Sequence, residues 1–199
     1  MKTPMIRADF SAISDWVAPH SSLLDLGCGD GDFLEYIRQQ KNVKTYGVEI
    51  SDLSVLACVK KGLDVIQQDL ESGLALFADQ SFDMVVLSQT LQTIHETETI
   101  LREIVRVGKE SIISFPNFGH WSHRIDILCG RMPVSKSLPF DWYNTPNVRV
   151  LTIADFEALA NTIGLRIIDR VVLHEGKKVT FAANLFGSLA IYRVKSATT

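Results

Sequence analysis

Apolar and polar positions alternate along this chain in two periods. Short apolar runs bounded by turn residues, the pattern of strands buried on both faces, fall at 22–26, 44–50, 63–67, 84–88 and 111–115. Segments of helical period lie between them. Residues 32–39 set Phe33, Leu34 and Ile37 on one face, Ser51 stands where it can cap a helix stopped by Gly62, and Ile100, Leu101, Ile104 and Val105 mark a third helix. Thr152 with Asp155 reads as a capping box ahead of Phe156, Leu159 and Ile163, with Gly164 as the stop. Two further apolar runs, 165–173 and 188–195, read as an antiparallel hairpin at the sheet edge. Alternation of this kind predicts an α/β fold with a largely parallel sheet.

The chain has 199 residues, 46% of them hydrophobic and 22% charged, which suits one globular domain spanning 1–199. A formal charge of −3 argues against nucleic acid as a partner, because phosphate recognition needs a basic face. Cys28, Cys58 and Cys129 are odd in number and form no C-x-x-C pair, so neither a disulfide framework nor a metal site is expected. The opening MKTPMIRADFSAISDWV has no long apolar run, so no signal peptide or membrane span is expected. A cytoplasmic location with reduced thiols follows.

LLDLGCGDGDF, running from Leu23 to Phe33, places Gly27, Gly29 and Gly31 between the first strand and the first helix. Glycine tolerates positive φ there and lets a ligand lie against the backbone at a helix N-terminus. The loop also carries Asp25, Asp30 and Asp32, a cluster unfavourable to a pyrophosphate and favourable to a cationic ligand such as S-adenosylmethionine. Glu49 closes the second strand, where a carboxylate can accept from both ribose hydroxyls, and Ile50 follows it. Asp69 follows the third strand, placed to meet an adenine amine with Leu70 against the ring, and Ser88 ends the fourth beside the expected methionine moiety.

LDLGCGDGDFL, GVEI, VIQQDLE, SFDMVVLSQTLQ, SFPNFGHW, GRMP and LPFDWYNTPN together resemble the MetW family of methionine biosynthesis proteins, within the class I S-adenosylmethionine-dependent methyltransferase superfamily. The resemblance implies a Rossmann-like, seven-stranded, mostly parallel sheet with an antiparallel C-terminal hairpin and an insert after strand 5. It implies S-adenosylmethionine or S-adenosylhomocysteine contacted by Asp25, Gly27, Gly29, Glu49 and Asp69. It also implies a homoserine O-acyltransferase of the α/β-hydrolase type as partner, with this chain as its accessory.

An active methyltransferase on a small-molecule acceptor is the alternative, and in-line methyl transfer needs positioning more than a protein nucleophile. His95, His120 and His123 are the candidate general bases, each also explicable as a solvated or structural residue. Cys28 reads as a small packing residue, and no G-x-S-x-G elbow supports acyl transfer on this chain. The insert, 116–150, holds Pro116, Pro133, Pro139 and Pro146 with Phe118, Trp121, Phe140, Trp142 and Tyr143. It is expected to be an ordered, largely packed cap. Trp121, Arg124 and Arg131 are its candidate contacts, to a partner or, through an arginine clamp, to a small anion.

Overall fold

The computed structural model describes residues 7–197, so the expectation for the first six residues lies outside them. The five apolar runs become parallel strands β1 (Ser22–Leu26), β2 (Lys44–Glu49), β3 (Asp64–Gln67), β4 (Phe82–Ser88) and β5 (Gly108–Pro116). The chain then forms β6 (Leu165–His174), the two-residue β7 (Lys177–Lys178) and β8 (Leu189–Ser196). The sheet order is β3-β2-β1-β4-β5-β8-β6-β7, with β8 antiparallel to both β5 and β6.

All seven expected strands are present, and the eighth is the short return β7. Glu175 and Gly176 have φ of 47° and 78°, the paired positive values that let a two-residue loop turn β6 directly back on itself. Pleat alternation divides the sheet's side chains between two apolar layers. Leu23, Met84, Val86 and Ile112 pack with Phe10 and Ile13 of α1 (Ala8–Trp16), Phe33 and Ile37 of α2 (Asp32–Lys41) and Cys58 of α3 (Asp52–Lys60). Leu24, Leu26, Val85, Leu87, Ile113 and Phe115 pack with Ile100, Leu101 and Ile104 of α4 (Thr97–Val107) and, beyond the insert, Phe156 and Ala160 of α6 (Ile153–Thr162).

Local chemistry sets the element ends. Ser51 accepts from the Ser54 backbone to cap α3, and the Thr152–Asp155 capping box opens α6 with both of its reciprocal bonds. The insert contains a helix that its proline and aromatic content conceals, α5 (Trp121–Leu128), capped at its start by the His120 ring and closed by Gly130 at φ 74°. A single turn of helix, α7 (Ala183–Phe186), precedes β8.

The expectation of a largely packed insert is corrected by its aromatic side chains. Trp142 and Tyr143 are 72% and 69% exposed, and Trp121 and Phe140 are also exposed. Both faces of the sheet are already covered by helices, which leaves these rings little apolar surface to bury against. The backbone is nevertheless anchored. Asn117, fully buried, donates to the Asn184 and Gly187 carbonyls at 3.1 and 2.8 Å and accepts from the Gly119 and Ile153 amides at 3.0 and 3.3 Å, tying both ends of the insert to the turn before β8. Val148 and Arg149 donate their amides to the Gln92 carbonyl at 2.9 and 3.0 Å.

Candidate functional site

The C-terminal ends of the parallel strands open on one edge of the sheet, the position where open α/β sheets hold ligands. Gly27, Gly29 and Gly31 all have positive φ, but their missing side chains face different things. A Cβ on Gly27 would stand 2.7 Å from the Thr90 side chain, and one on Gly31 would strike Leu63 and come within 2.9 Å of the Cys58 sulfur. At Gly29 nothing lies within 4 Å, so this glycine alone keeps an approach to the backbone open. Gly31 therefore seats the loop on α3, while Gly27 and Gly29 line the crevice.

Glu49 is buried where β2 meets the loop. Its Oε2 accepts from the Gly29 amide at 2.8 Å and its Oε1 from the Ile50 and Ser51 amides, both at 2.9 Å, so the carboxylate is held rigidly and one acceptor position remains on Oε2. Asp69 caps the turn of 3-10 helix at Leu70–Ser72 with one oxygen, accepting from Glu71 at 2.9 Å, and leaves the other free. Gly27, Glu49, Ile50, Asp69, Leu70 and Gln89 line a compartment of about 390 Å³. A second compartment of about 190 Å³ joins it at Gly27 and is lined by Asp25, Gly29, Asp30, Ser88 and Arg7.

Asp25 is buried at the edge of the second compartment. Burial raises its pKa to about 7; the Arg7 guanidinium pulls it back, while Glu49 and Asp9 push it further up. Arg7 also stacks over the Phe10 ring at 4.8 Å and grips Asp9 with two bonds of 3.1 and 2.5 Å. Asp9 in turn accepts from Gln89 at 2.9 Å and from the Ser88 hydroxyl at 3.4 Å, stitching α1 to the end of β4. Cys28 packs in the loop 3.9 Å from the Cys58 sulfur, and burial pushes its thiol pKa far above its usual range, the opposite of an activated nucleophile.

A larger cavity of about 580 Å³ adjoins these compartments through Arg7 and Gln89, and His120, His123 and His174 line it. Burial lowers the pKa of both His120 and His123. His95 lies elsewhere, largely exposed and 3.2 Å from Glu71. Arg124 and Arg131 do not line the crevice or this cavity, so neither clamps an anion there. Arg124 instead donates to the Gly119 carbonyl at 2.7 Å beneath α5, and Arg131 is exposed just beyond that helix. Trp121 and Leu128 of α5, and Met132 and Val134 beyond it, are exposed as well.

The family model described as "Methionine biosynthesis protein MetW" matches residues 7–194. This chain belongs to the MetW family. It is 38% identical over 176 residues to a "Bifunctional methionine biosynthesis protein MetXA/MetW" of Rhodopirellula baltica, a match that covers 83% of this chain and only 28% of that longer relative. Among solved structures, an S-adenosylmethionine-dependent methyltransferase from Mesorhizobium loti superposes with a TM-score of 0.70 at 16% identity, covering 95% of this chain and 98% of that one. Another from Archaeoglobus fulgidus gives a TM-score of 0.69 at 16% identity over 95% and 92% of the two chains. These similarities establish the class I methyltransferase fold for this MetW family member.

Sequence reasoning missed Arg7, Asp9 and His174. Asp9 carried a weak signal, an acid in the first turn of an amphipathic segment. His174 carried none, because only the hairpin of β6 and β8 brings it beneath His120.

Proposed function

We propose that this protein holds S-adenosylmethionine or S-adenosylhomocysteine in the crevice over the ends of β1 to β4 and acts in the cytoplasm as an accessory of a homoserine O-acyltransferase. One observation carries the ligand half. Carboxylates at the ends of β2 and β3, Glu49 and Asp69, flank one compartment with free acceptor positions, next to a glycine loop left open at Gly29. Glu49 Oε2 suits a ribose hydroxyl and Asp69 an adenine amine, while Asp25, Ser88 and Arg7 surround the end where an ammonium, a sulfonium and a carboxylate would sit. Leu70 offers apolar contact to the ring, and Ile50 borders the same compartment.

The partner half is supported by the relative whose name joins MetXA and MetW in one polypeptide. It is also supported by exposed large apolar residues of α5, Trp121 and Leu128, of which tryptophan is the kind that anchors interfaces. Arg124 on α5 and Arg131 just beyond it are also exposed.

The test is reconstitution with the acyltransferase. Co-purification with stimulated acyl transfer, altered by titrated S-adenosylmethionine, is the expected result. No association and no stimulation would reject the partner, and calorimetry showing no heat with either adenosyl ligand would reject the crevice assignment. Catalytic methyl transfer is the second reading, favoured by the larger cavity beside the methionine end. Release of S-adenosylhomocysteine in the presence of cell metabolites would establish it.

A further inference from the structure

The cavity of about 580 Å³ holds a chemical feature that neither the crevice nor the docking face uses. His120 is 5% exposed, and its Nδ1 accepts the Ser122 backbone N–H at 3.4 Å as the cap of α5, with the Ser122 hydroxyl 2.8 Å away. A neutral imidazole whose Nδ1 accepts carries its proton on Nε2. Burial keeps the ring neutral, and the neighbouring His174 and His123 add to the effect. The Nε2–H is thus a buried donor, and it has no partner. Nδ1 of His174, whose ring stacks on His120 at 4.8 Å, is likewise buried without a partner.

His123 lines the same cavity: its Nε2 meets the Ser135 hydroxyl at 3.0 Å, while its Nδ1 is buried without a partner, like the open atoms of His120 and His174. The rings do not form a metal cage: among the described residues no three His, Cys, Asp or Glu side chains are arranged to hold an ion. An unmade buried hydrogen bond is unfavourable, so a buried donor left open in a roomy cavity points to an acceptor supplied from outside. The rest of the lining states what kind. Leu173 and Leu189 are apolar, and the charged side chains of the lining pair with one another, Arg7 with Asp9 and Lys136 with Glu175, so the open donor of His120 is what selects an acceptor group.

We propose that this cavity is a second ligand site, for a small carboxylate with a short apolar tail, in which the carboxylate oxygen accepts from His120 Nε2–H and the tail lies on Leu173 and Leu189. The site stands apart from the ligand of the neighbouring crevice and is testable without it.

The probe is butyrate, titrated into the full chain carrying nitrogen-15 histidine, with long-range proton–nitrogen spectra reporting each ring's tautomer. In the free protein His120 should appear as the Nε2–H tautomer. Butyrate should shift His120 and His174 saturably while the exposed His20 and His95 stay still. His120→Asn keeps a side-chain acceptor for the helix cap but cannot reach the cavity, and it should weaken butyrate at least about tenfold with helix content unchanged. An Nδ1–H tautomer or absence of saturation in the wild-type chain would overturn the proposal, and both are read without any variant. An equal response of the wild-type rings to butanol would overturn the carboxylate assignment, and undiminished butyrate binding by a folded His120→Asn would overturn the role of the ring.

Discussion

Two alanine substitutions in the glycine loop separate packing from binding. Gly31 has φ 78°, and a Cβ there would strike Leu63 and stand 2.9 Å from the Cys58 sulfur. The left-handed conformation costs a non-glycine residue about 1–2 kcal/mol, and forcing a methyl into a packed layer adds about 1–3 kcal/mol. Gly31→Ala should therefore lose roughly 2–5 kcal/mol, a large share of the ~5–15 kcal/mol by which folded proteins of ordinary size are held. Gly29 has φ 54° with nothing within 4 Å of a Cβ, so Gly29→Ala incurs only the backbone term of about 1–2 kcal/mol. Its methyl, however, stands on the side from which a ligand approaches. Urea unfolding followed by tryptophan fluorescence gives the two stabilities, and calorimetry gives S-adenosylhomocysteine affinity. The expected pattern is crossed: Gly31→Ala the more destabilised, Gly29→Ala losing only about 1–2 kcal/mol yet at least about tenfold weaker in binding. Equal destabilisation by the two changes, or unchanged affinity in Gly29→Ala, would refute the division of labour drawn from their surroundings.

Asp25 makes stability depend on pH. Its folded pKa of about 7 exceeds its unfolded value, so the folded chain keeps a proton that the unfolded chain has released, and stability falls as pH rises from roughly 4 to 7 before levelling off. Asp25→Asn should flatten that slope and add as much as about 4 kcal/mol at pH 8, read from denaturant midpoints; a persistent slope would assign it to other groups. Asn117→Ala removes four buried hydrogen bonds and should cost about 3–5 kcal/mol, with early proteolysis between residues 118 and 150; a loss under about 1 kcal/mol would show that the insert is held otherwise. Leu128, 86% exposed on α5, should tolerate glutamate within about 0.5 kcal/mol of wild-type stability, yet Leu128→Glu should abolish co-purification with the acyltransferase, and retained association would move the docking face elsewhere.

The sequence by itself determined the frame. Strands buried on both sides must be continuous apolar runs, so the centres of β1, β4 and β5 were legible, and the ends of α3 and α6 were written locally in Ser51, Thr152 and Asp155. The crevice was legible for the same reason, because residues at the C-terminal ends of parallel strands share one edge whatever the rest of the chain does. Glu49, Asp69 and Ser88 were legible as residues of that edge. Tertiary structure alone decided the contacts between segments far apart in the chain. The seating of Gly31 on Cys58 depends on α3, Asp25's raised pKa on its burial and on the approach of Glu49 and Asp9, and the stacking of His174 on His120 on the hairpin that brings them together. The exposed aromatics of the insert have the same origin. Composition records that a tryptophan is apolar, but only the finished fold, with helices already covering both faces of the sheet, leaves Trp142 without a place to be buried.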